Sequence, residues 1–454
     1  MSRRTPAFAA RIPTTESRTP GHLVARRSFR PTPELLAALA VLFLASVNAI
    51  GPLGVLLFFA GSAAVIAYRP LFNVRELLRF SALLLLPLLA IVSTIWSDAP
   101  QRSMRLGLEL FATCAAAIVI CRNLPPERFV LALFAAFLVM DLTVAPAIPQ
   151  ALATGQPLVA WLGSKNQVGL IGYMLLAMSL AVAVDRKQPW FARLAAVAAM
   201  PLSLLTMYLS QSGGSTSSVA LTLLIFPPLA LLAALKPPLR IAVSVLAVVM
   251  LIAAAFFLDD IEAWIADFRQ NVLKKDATLT GRTYLWDFAD RLSAARPTWG
   301  YGYGAFWRHG NIDAEGLWRW GGIASRSGFN FHNAFVGMRV DLGLVGMVLL
   351  IATCIGIALV GLARQVARPS VALAGLLGVT AVNYFRSFVE EGLVAPFSLI
   401  TVVWFACALY AFPQAAPADA PAPAPRRTPL PRRVDAPMGR RSRPARQAPA
   451  RAAY

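Results

Sequence analysis

HNAFVGMRVDLGLVGMVLLIATCIGIALVG, residues 332–361, decides the class of fold. It opens on a polar His-Asn pair, and after Asp341 it continues for 20 residues without a charged side chain. About 20 apolar residues in an α-helix cross the hydrocarbon core of a bilayer. The stretch therefore predicts a membrane-spanning helix with a histidine, His332, at its mouth.

Apolar runs of the same kind recur along the whole chain. Of its 454 residues, 57% are hydrophobic and 14% are charged. Only α-helices and closed β-barrels satisfy every backbone polar group inside lipid. The runs are continuous rather than alternating, which favours helices. The composition argues against a soluble domain and predicts an all-α polytopic membrane protein.

The apolar runs predict twelve spans, with one large external loop after the ninth. The predicted spans are 34–50, 51–68, 77–96, 104–121, 127–147, 167–184, 191–209, 216–235, 238–258, 333–361, 371–389 and 394–412. The first two spans are short and meet at Gly51-Pro52, so they could instead be one broken helix. That alternative would reverse the orientation of every later span.

Basic residues choose between these topologies, because cytoplasmic loops carry an excess of Lys and Arg. With twelve spans and a cytoplasmic N-terminus, every predicted inside loop is basic, and both termini are cytoplasmic. The predicted segments are a disordered basic N-terminal tail (1–33), helices 1–9 (34–258), an external loop domain with short helices (259–331), helices 10–12 (332–412) and a disordered Pro/Ala/Arg-rich tail (413–454).

The net charge of +20 comes mostly from the two tails. Residues 1–33 supply +6 and residues 413–454 supply +7. Segments of this composition bury no core and stay disordered. We interpret them as topology determinants that can touch the anionic head groups of membrane lipids. No folded module accompanies the charge, which argues against nucleic acid as a partner.

Cysteine and histidine are too sparse to predict a metal site. The four cysteines all fall in predicted helices, and the three histidines are His22, His309 and His332. Neither set has the spacing of a zinc site or of a disulfide framework. The phosphate-cradling pattern GxxxxGK[ST] does not occur in the sequence. We therefore predict neither a metal nor a cofactor.

The external loop is too aromatic for a linker, because it holds six of the ten tryptophans. Apolar spacing predicts an amphipathic helix over 259–275, lying along the outer leaflet. A second helix is predicted over 282–295, ending before Pro297. The Gly-punctuated segment GYGYGAF at 300–306 predicts a tight turn that brings backbone N–H groups close to a partner.

Cations at the external helix ends are the main functional signal. They are Arg102, Arg105, Lys165, Arg339 and Arg386. Each could simply snorkel to water, and Arg386 could only pair with Glu390 four residues later. Arg339 lies about two turns inside its helix, on the face of His332, where an unpaired charge is costly.

Gathered at one membrane face, these cations predict a cavity for an anionic, lipid-linked ligand. Aromatic side chains beside them would suit sugar rings. His332 could be a satisfied interface residue, or it could act in its neutral form as a base toward a hydroxyl group.

Five short motifs carry a family resemblance. They are STIWSDAPQRSMR (93–105), GSKNQVG (163–169), TGRTYLW (280–286), GYGYGAF (300–306) and HNAFVGMRVDLGLVG (332–346). Their order, with a single large loop before the His-Asn helix, resembles the O-antigen ligases and polysaccharide polymerases of the bacterial inner membrane. The resemblance extends over residues 75–410.

The resemblance implies a metal-independent, inverting glycosyltransferase that works at the periplasmic face. Its donor would be a glycan on undecaprenyl diphosphate. Its acceptor would be another glycan, as in a polymerase, or the lipid A core, as in a ligase. Membrane lipids and other polysaccharide export proteins would be further partners.

The resemblance also implies roles for single residues. His332 would be the base or the acceptor-orienting group, and Arg282 would contact the diphosphate or the sugar. The motifs and the external cations supply the other candidate substrate-binding residues, which are Arg102, Arg105, Lys165, Asn166, Tyr301, Asn333, Arg339 and Arg386. Ser164 stands where exopolysaccharide polymerases commonly have His.

Two other classes of protein are alternatives. A polytopic transporter or flippase of lipid-linked oligosaccharide would keep its site near mid-membrane, at broken helices of an inverted repeat. A noncatalytic scaffold would tolerate the loss of His332 or Arg282. Charges gathered at one face favour the enzyme.

Overall fold

The computed structural model describes residues 32–256 and 281–414. Within these ranges the chain forms sixteen α-helices and no β-strand. They are α1 Pro33–Ile50, α2 Pro52–Tyr68, α3 Pro70–Arg79, α4 Leu85–Val92, α5 Pro100–Asn123, α6 Pro126–Val144, α7 Ile148–Thr154, α8 Lys165–Val184, α9 Trp190–Leu209, α10 Gly213–Leu231, α11 Pro237–Ala255, α12 Arg282–Ala295, α13 Ile312–Trp320, α14 Ala334–Ala367, α15 Val371–Arg386 and α16 Leu399–Ala411. The predicted helix over 259–275 and nearly all of both predicted tails lie outside the described residues.

Seven helical segments of the described ranges are long and apolar enough to cross a membrane: α1, α5, α6 with its continuation to Thr154, α8, α9, α10 and α14. An eighth results if α2 and α3, which meet at a bend of 107°, count as one span. Shorter apolar helices cover Ser81–Ile95, Pro237–Met250, α15 and α16. The predicted polytopic α-helical membrane protein is thus confirmed. The count of twelve and the external position of the loop stay predictions.

A glycine separates the first two helices. Gly51 has a φ of +57°, and its N–H donates to Val47 O and closes α1. Pro52 then begins α2, at a position where its missing N–H costs nothing. A Cβ on Gly61 of α2 would lie 3.3 Å from Ala40 Cβ of α1, so the two helices pack closely. They form a hairpin rather than one broken helix.

The centre of the bundle contains α8, α15 and α16. Every residue of α16 except Ile400 is buried. Gly375 of α15 faces α8 so closely that a Cβ would lie 2.7 Å from Ala181 Cβ. The Tyr173 hydroxyl of α8 donates to Val379 O of α15 at 3.4 Å. These contacts fix the start of α8 beside the end of α15.

At the end of the bundle where α5 and α16 finish, a buried ion pair joins three helices. Arg122 Nε donates to Glu76 Oε2 of α3 at 2.5 Å, and its other nitrogens donate to Leu409 O and Pro413 O. Asn123 Nδ2 donates to Asn73 Oδ1 at 2.6 Å. We call Asn73, Glu76, Arg122 and Asn123 the Arg122 cluster. The two charged side chains are 0% and 5% exposed, so water does not reach them.

At the opposite end, α14 is interrupted at Gly343, whose φ of +65° and ψ of −162° are not helical. Backbone of residues 297–302 fills the interruption. Leu344 N and Val345 N donate to Pro297 O and Thr298 O, whereas Val340 O and Asp341 O accept from Tyr301 N and Gly302 N. Four backbone hydrogen bonds from a neighbouring loop therefore satisfy groups that the break leaves without a helical partner.

The glycine loop, residues 300–306, forms the predicted tight turn. Gly300, Gly302 and Gly304 all have positive φ, a conformation that glycine adopts at no steric cost. Tyr303 N donates to Ser93 Oγ and Gly304 N donates to Asp341 Oδ2, both at 3.0 Å. The partners of these N–H groups are thus protein groups. The helix predicted over 282–295 is present as α12.

Candidate functional site

Side chains from three other parts of the chain converge on one carboxylate, that of Glu390 in the turn after α15. Its Oε1 accepts hydrogen bonds from Arg282 Nη2 at 2.9 Å and from Asn166 Nδ2 at 3.2 Å. Its Oε2 lies 3.3 Å from His332 Nδ1. We call Asn166, Arg282, His332 and Glu390 the Glu390 cluster. The side chains of Arg282, His332 and Glu390 are 17%, 24% and 18% exposed, so the cluster is accessible to a ligand.

His332 is held in a backbone conformation that few residues other than glycine adopt. Its φ is +53°, and left-handed backbone at such a residue costs on the order of 1–3 kcal/mol. The Asn330 side chain accepts the His332 N–H at 2.8 Å, and the Phe329 ring packs edge-on against the imidazole. The strained backbone and the Phe329 contact together point the imidazole toward Glu390. Strained backbone of this kind clusters at functional sites.

Asn333 fixes the start of α14 next to His332. Its Oδ1 accepts the N–H groups of Phe335 and Val336, at 3.0 and 3.1 Å, as an N-cap. Its Nδ2 donates to Phe388 O at 3.1 Å. Asn333 therefore ties the helix that presents His332 to the turn that presents Glu390.

A second guanidinium, that of Arg386, lies near the cluster at the end of α15. Its Nη1 donates to Ser218 Oγ at 3.1 Å, and the group lies over the Tyr173 ring. Asn166 Oδ1 accepts from Ser212 Oγ at 3.1 Å. The serine-rich start of α10 thus orients Asn166 and Arg386 from behind.

A cavity of about 60 Å³ opens beside Glu390, with room for a few water molecules. Its polar walls are formed by Asn166, Gln167, Asn383, Arg386, Ser387, Glu390 and Glu391. The cavity is too small for a sugar, and it shares with His332 and Arg282 the Glu390 carboxylate that both of them contact.

The two neighbouring carboxyl groups at this site are in opposite states. Burial tends to raise the pKa of Glu390, but the His332 hydrogen bond and the charges of Arg282, His332 and Arg386 together hold that pKa below its ordinary value. For Glu391, burial and, to a smaller extent, the charge of Asp341 raise the pKa to about 8. The Phe331 N–H donates to this carboxyl group and lowers its pKa only in part. At neutral pH, Glu390 is ionised and Glu391 carries a proton.

Other candidate residues from the sequence have their contacts elsewhere. Arg102 Nε donates to Gly304 O at 2.7 Å, and Arg105 pairs with Glu109 at 3.2 Å. The Tyr301 hydroxyl donates to Leu292 O at 3.3 Å. Lys165 is exposed at the start of α8. Whether these residues bind substrate stays a prediction.

Arg339 is paired rather than isolated. Its Nη1 donates to Asp290 Oδ1 of α12 at 2.9 Å, and both side chains are well exposed, at 39% and 63%. Arg339 lies five residues after the start of α14 and four before the interruption at Gly343. The pair joins α14 to α12.

The residue that sequence reasoning missed is Glu390. The sequence suggested that it pairs with Arg386 within one helix, but α15 ends at Arg386. Its partners Arg282 and His332 come 108 and 58 residues earlier in the chain. Two consecutive acids directly after an apolar helix were the available signal. Within residues 32–256 and 281–414, no three His, Cys, Asp or Glu side chains are grouped to hold a metal ion.

The apolar bundle and the charged cluster at one end of it define a polytopic membrane protein with a polar site at its helix ends. Residues 198–351, which include Arg282 and His332, match the family model described as O-antigen ligase. Over 319 residues the chain is 30% identical to the exopolysaccharide production protein ExoQ of Rhizobium meliloti (strain 1021), covering 68% of this chain and 71% of that protein. The chain belongs to the O-antigen ligase family, as its motifs indicated, and is a membrane protein of polysaccharide biosynthesis.

Proposed function

We propose that the chain is a bacterial inner-membrane glycosyltransferase that extends exopolysaccharide at the periplasmic face. Its donor is a glycan on undecaprenyl diphosphate, and its acceptor is another glycan, with the lipid A core as the alternative acceptor. The relative in Rhizobium meliloti, named for exopolysaccharide production, supports the glycan acceptor. Membrane lipids and other polysaccharide export proteins are the proposed partners, with both termini of the chain cytoplasmic.

The observation that carries the proposal is the contact of His332 and Arg282 with one carboxylate. With a proton on His332 Nδ1 facing Glu390 Oε2, the other ring nitrogen is free to accept a proton. A carboxylate that orients an imidazole in this way is the arrangement of a general base. His332 Nε2 would take the proton of the acceptor hydroxyl as its oxygen attacks the anomeric carbon.

The site must also stabilise the negative charge of the leaving group. As the acceptor oxygen bonds to the anomeric carbon, the bond from that carbon to the diphosphate oxygen breaks on the opposite face, which inverts the centre. The diphosphate departs with the electron pair of that bond. Arg282 and Arg386 would stabilise this negative charge with charge-assisted hydrogen bonds. In the proposed reaction these guanidinium groups do the work for which other glycosyltransferases use a metal ion.

The direct test uses cells whose own copy of the protein is deleted and replaced by variants. His332→Ala and Arg282→Ala are expected to abolish polymer while the membrane level of the protein is unchanged. His309→Ala and Arg319→Ala are the matched controls, because both residues are exposed on the same loop and contact no member of the Glu390 cluster. Full-length polymer from His332→Ala would remove the proposed base.

A reconstituted system separates the enzyme from a transporter. The purified protein in nanodiscs is supplied with lipid-diphosphate-linked oligosaccharide, without nucleotide or metal. An enzyme releases lipid diphosphate and a longer glycan, whereas a flippase or a scaffold releases neither.

A further inference from the structure

A shallow aromatic cleft lies on the loop that fills the interruption of α14. It measures about 320 Å³ and is lined by Trp96, Arg296, Pro297, Thr298, Trp299 and Gly300. The two indole rings lie 5.2 Å apart between centroids, with their planes tilted by 56°. Trp299 is 49% exposed. The cleft therefore presents a broad aromatic wall to the outside of the protein.

The walls of this cleft are held rigidly. Trp96 Nε1 donates to Trp299 O at 2.8 Å, so the indole of one wall is tied to the backbone of the other. The segment 297–302 is fixed by its four backbone hydrogen bonds to residues 340–345. A preformed cleft loses little conformational entropy when a ligand binds, so its rigid walls are suited to ligand binding.

An ion pair borders the aromatic wall. Arg296 Nη1 donates to Asp98 Oδ1 at 2.7 Å, and the guanidinium stacks on the Tyr301 ring at 4.5 Å. The side chains of Arg296 and Asp98 are 41% and 35% exposed. A patch that faces acyl chains would not carry an exposed ion pair. The charged pair argues for a ligand that has both apolar and hydroxylated faces.

We propose that the Trp96–Trp299 cleft binds sugar rings of the glycan at a distance from the reacting bond. The C–H face of a pyranose is apolar and fits the flat indole, while ring hydroxyls can pair with the guanidinium and carboxylate at the rim. The cleft is connected to the catalytic end by the first turns of α14. From Ala334 to Val340 these rise roughly 9 Å, a separation that one glycan chain can bridge. The inference rests on the proposed function, because it names a second contact for the same substrate.

Binding is tested with size-fractionated oligosaccharides from partial acid hydrolysis of the secreted polysaccharide, measured on protein in nanodiscs. The His332→Ala background prevents turnover. Trp299→Ala is expected to weaken binding about five- to tenfold and Trp299→Phe about twofold, since an aromatic contact is worth roughly 0.5–1.5 kcal/mol. Trp190→Ala, at an exposed tryptophan that begins α9, is expected to leave binding unchanged.

A parallel arm uses the same oligosaccharide on its lipid diphosphate. Weaker binding in both arms assigns the cleft to any glycan chain, and weaker binding in the lipid-linked arm alone assigns it to the donor. If Trp299→Ala and Trp299→Phe bind both probes like the parent while thermal stability in nanodiscs falls, the tryptophans anchor the protein in lipid and the inference is overturned. Unchanged binding with unchanged stability overturns it as well.

The outcome is independent of the test of the proposed function. Loss of polymer in His332→Ala together with unaltered binding in Trp299→Ala defeats the cleft alone. Normal polymer in His332→Ala removes the proposed base, and a reconstituted protein that releases no lipid diphosphate defeats the proposed function, whatever the cleft binds.

Discussion

Two of the arginine–glutamate pairs lie at opposite ends of the bundle, and they differ in how many hydrogen bonds the guanidinium makes and in how exposed it is. In the Arg122 cluster, the guanidinium contacts Glu76 and two backbone carbonyls, and neither charged side chain is more than 5% exposed. In the Glu390 cluster, Arg282 is 17% exposed, and the same carboxylate also holds Asn166 and a histidine.

The difference distinguishes a charge that only stabilises the fold from a charge that can also bind a ligand. Arg122 has its charge neutralised and its nitrogens occupied, so it can only hold α3, α5 and the end of α16 together. Arg282 and His332 share a carboxylate that is 18% exposed beside a cavity, and they keep hydrogen-bonding capacity for a ligand. Counting buried ions would treat the two clusters alike, whereas their remaining hydrogen-bonding capacity and exposure distinguish them.

Replacing the arginine of each cluster should have the largest effect and should separate the two most clearly. Arg122→Ala removes the nearer and more buried of the two arginines that pair with Glu76, and breaking such a buried pair costs about 3–5 kcal/mol. We expect a large loss of folded protein in size-exclusion chromatography of detergent extracts. Arg282→Ala should keep the folded peak and lose polymer synthesis. A normal folded yield from Arg122→Ala would contradict the structural role of that cluster.

The next largest effect is expected from Glu390→Gln, which keeps the shape of the side chain and removes its charge. His332 loses the carboxylate that orients it, so turnover of lipid-linked oligosaccharide should fall about 10²-fold. The pH–rate profile should shift as well, which a purely structural role would not produce. Glu315→Gln, at an acid that pairs with Arg326 outside the cluster, is the control. An unchanged pH profile would remove Glu390 from the mechanism.

A smaller effect concerns stability against pH at Glu391. Because burial raises its pKa from 4.5 to about 8, the folded protein keeps this proton between those pH values while the unfolded chain has lost it. The unfolded state binds fewer protons there, so the free energy of unfolding falls as pH rises from about 4.5 to about 8. In Glu391→Gln, the apparent melting temperature measured from pH 5 to pH 8 should decline less steeply. Equal slopes would mean that Glu391 is ionised in the folded protein.

The smallest effect is expected from Arg339→Ala. Its pair with Asp290 is exposed, and exposed pairs contribute about 0.2–1 kcal/mol. The melting temperature should change only slightly, and Asp290→Ala should match it. A strong loss of polymer in Arg339→Ala but not in Asp290→Ala would make Arg339 a ligand-binding residue, as the sequence suggested.

Much of the architecture was predictable from local patterns. Continuous apolar runs predicted a polytopic helical membrane protein, and the helix predicted over 282–295, ahead of Pro297, is present as α12. The motifs singled out Arg282, His332 and Asn166, which the structure brings together around one carboxylate. These features depend on residues close in sequence, or on motifs that a family shares.

The other features of the fold and the site depend on contacts between residues far apart in the sequence, which local spacing does not predict. Glu390 pairs with Arg282 across 108 residues, and helical periodicity could only suggest Arg386 as its partner. The interruption at Gly343 lies inside an apolar run that reads as one helix, because hydropathy does not register a backbone dihedral angle. Arg339 pairs with Asp290, 49 residues earlier in the chain, and this contact depends on where α12 packs, which sequence spacing does not predict.

The interruption at Gly343 also bears on the order in which the protein is synthesised. Backbone carbonyls and N–H groups left open in a helix are not tolerated by lipid. The groups that satisfy them, at residues 297–302, leave the ribosome before residues 340–345. The nascent chain therefore carries the missing partners of this helix before the helix is made. Moving the loop behind the helix in a circular permutant should impair membrane insertion even though every native contact remains possible.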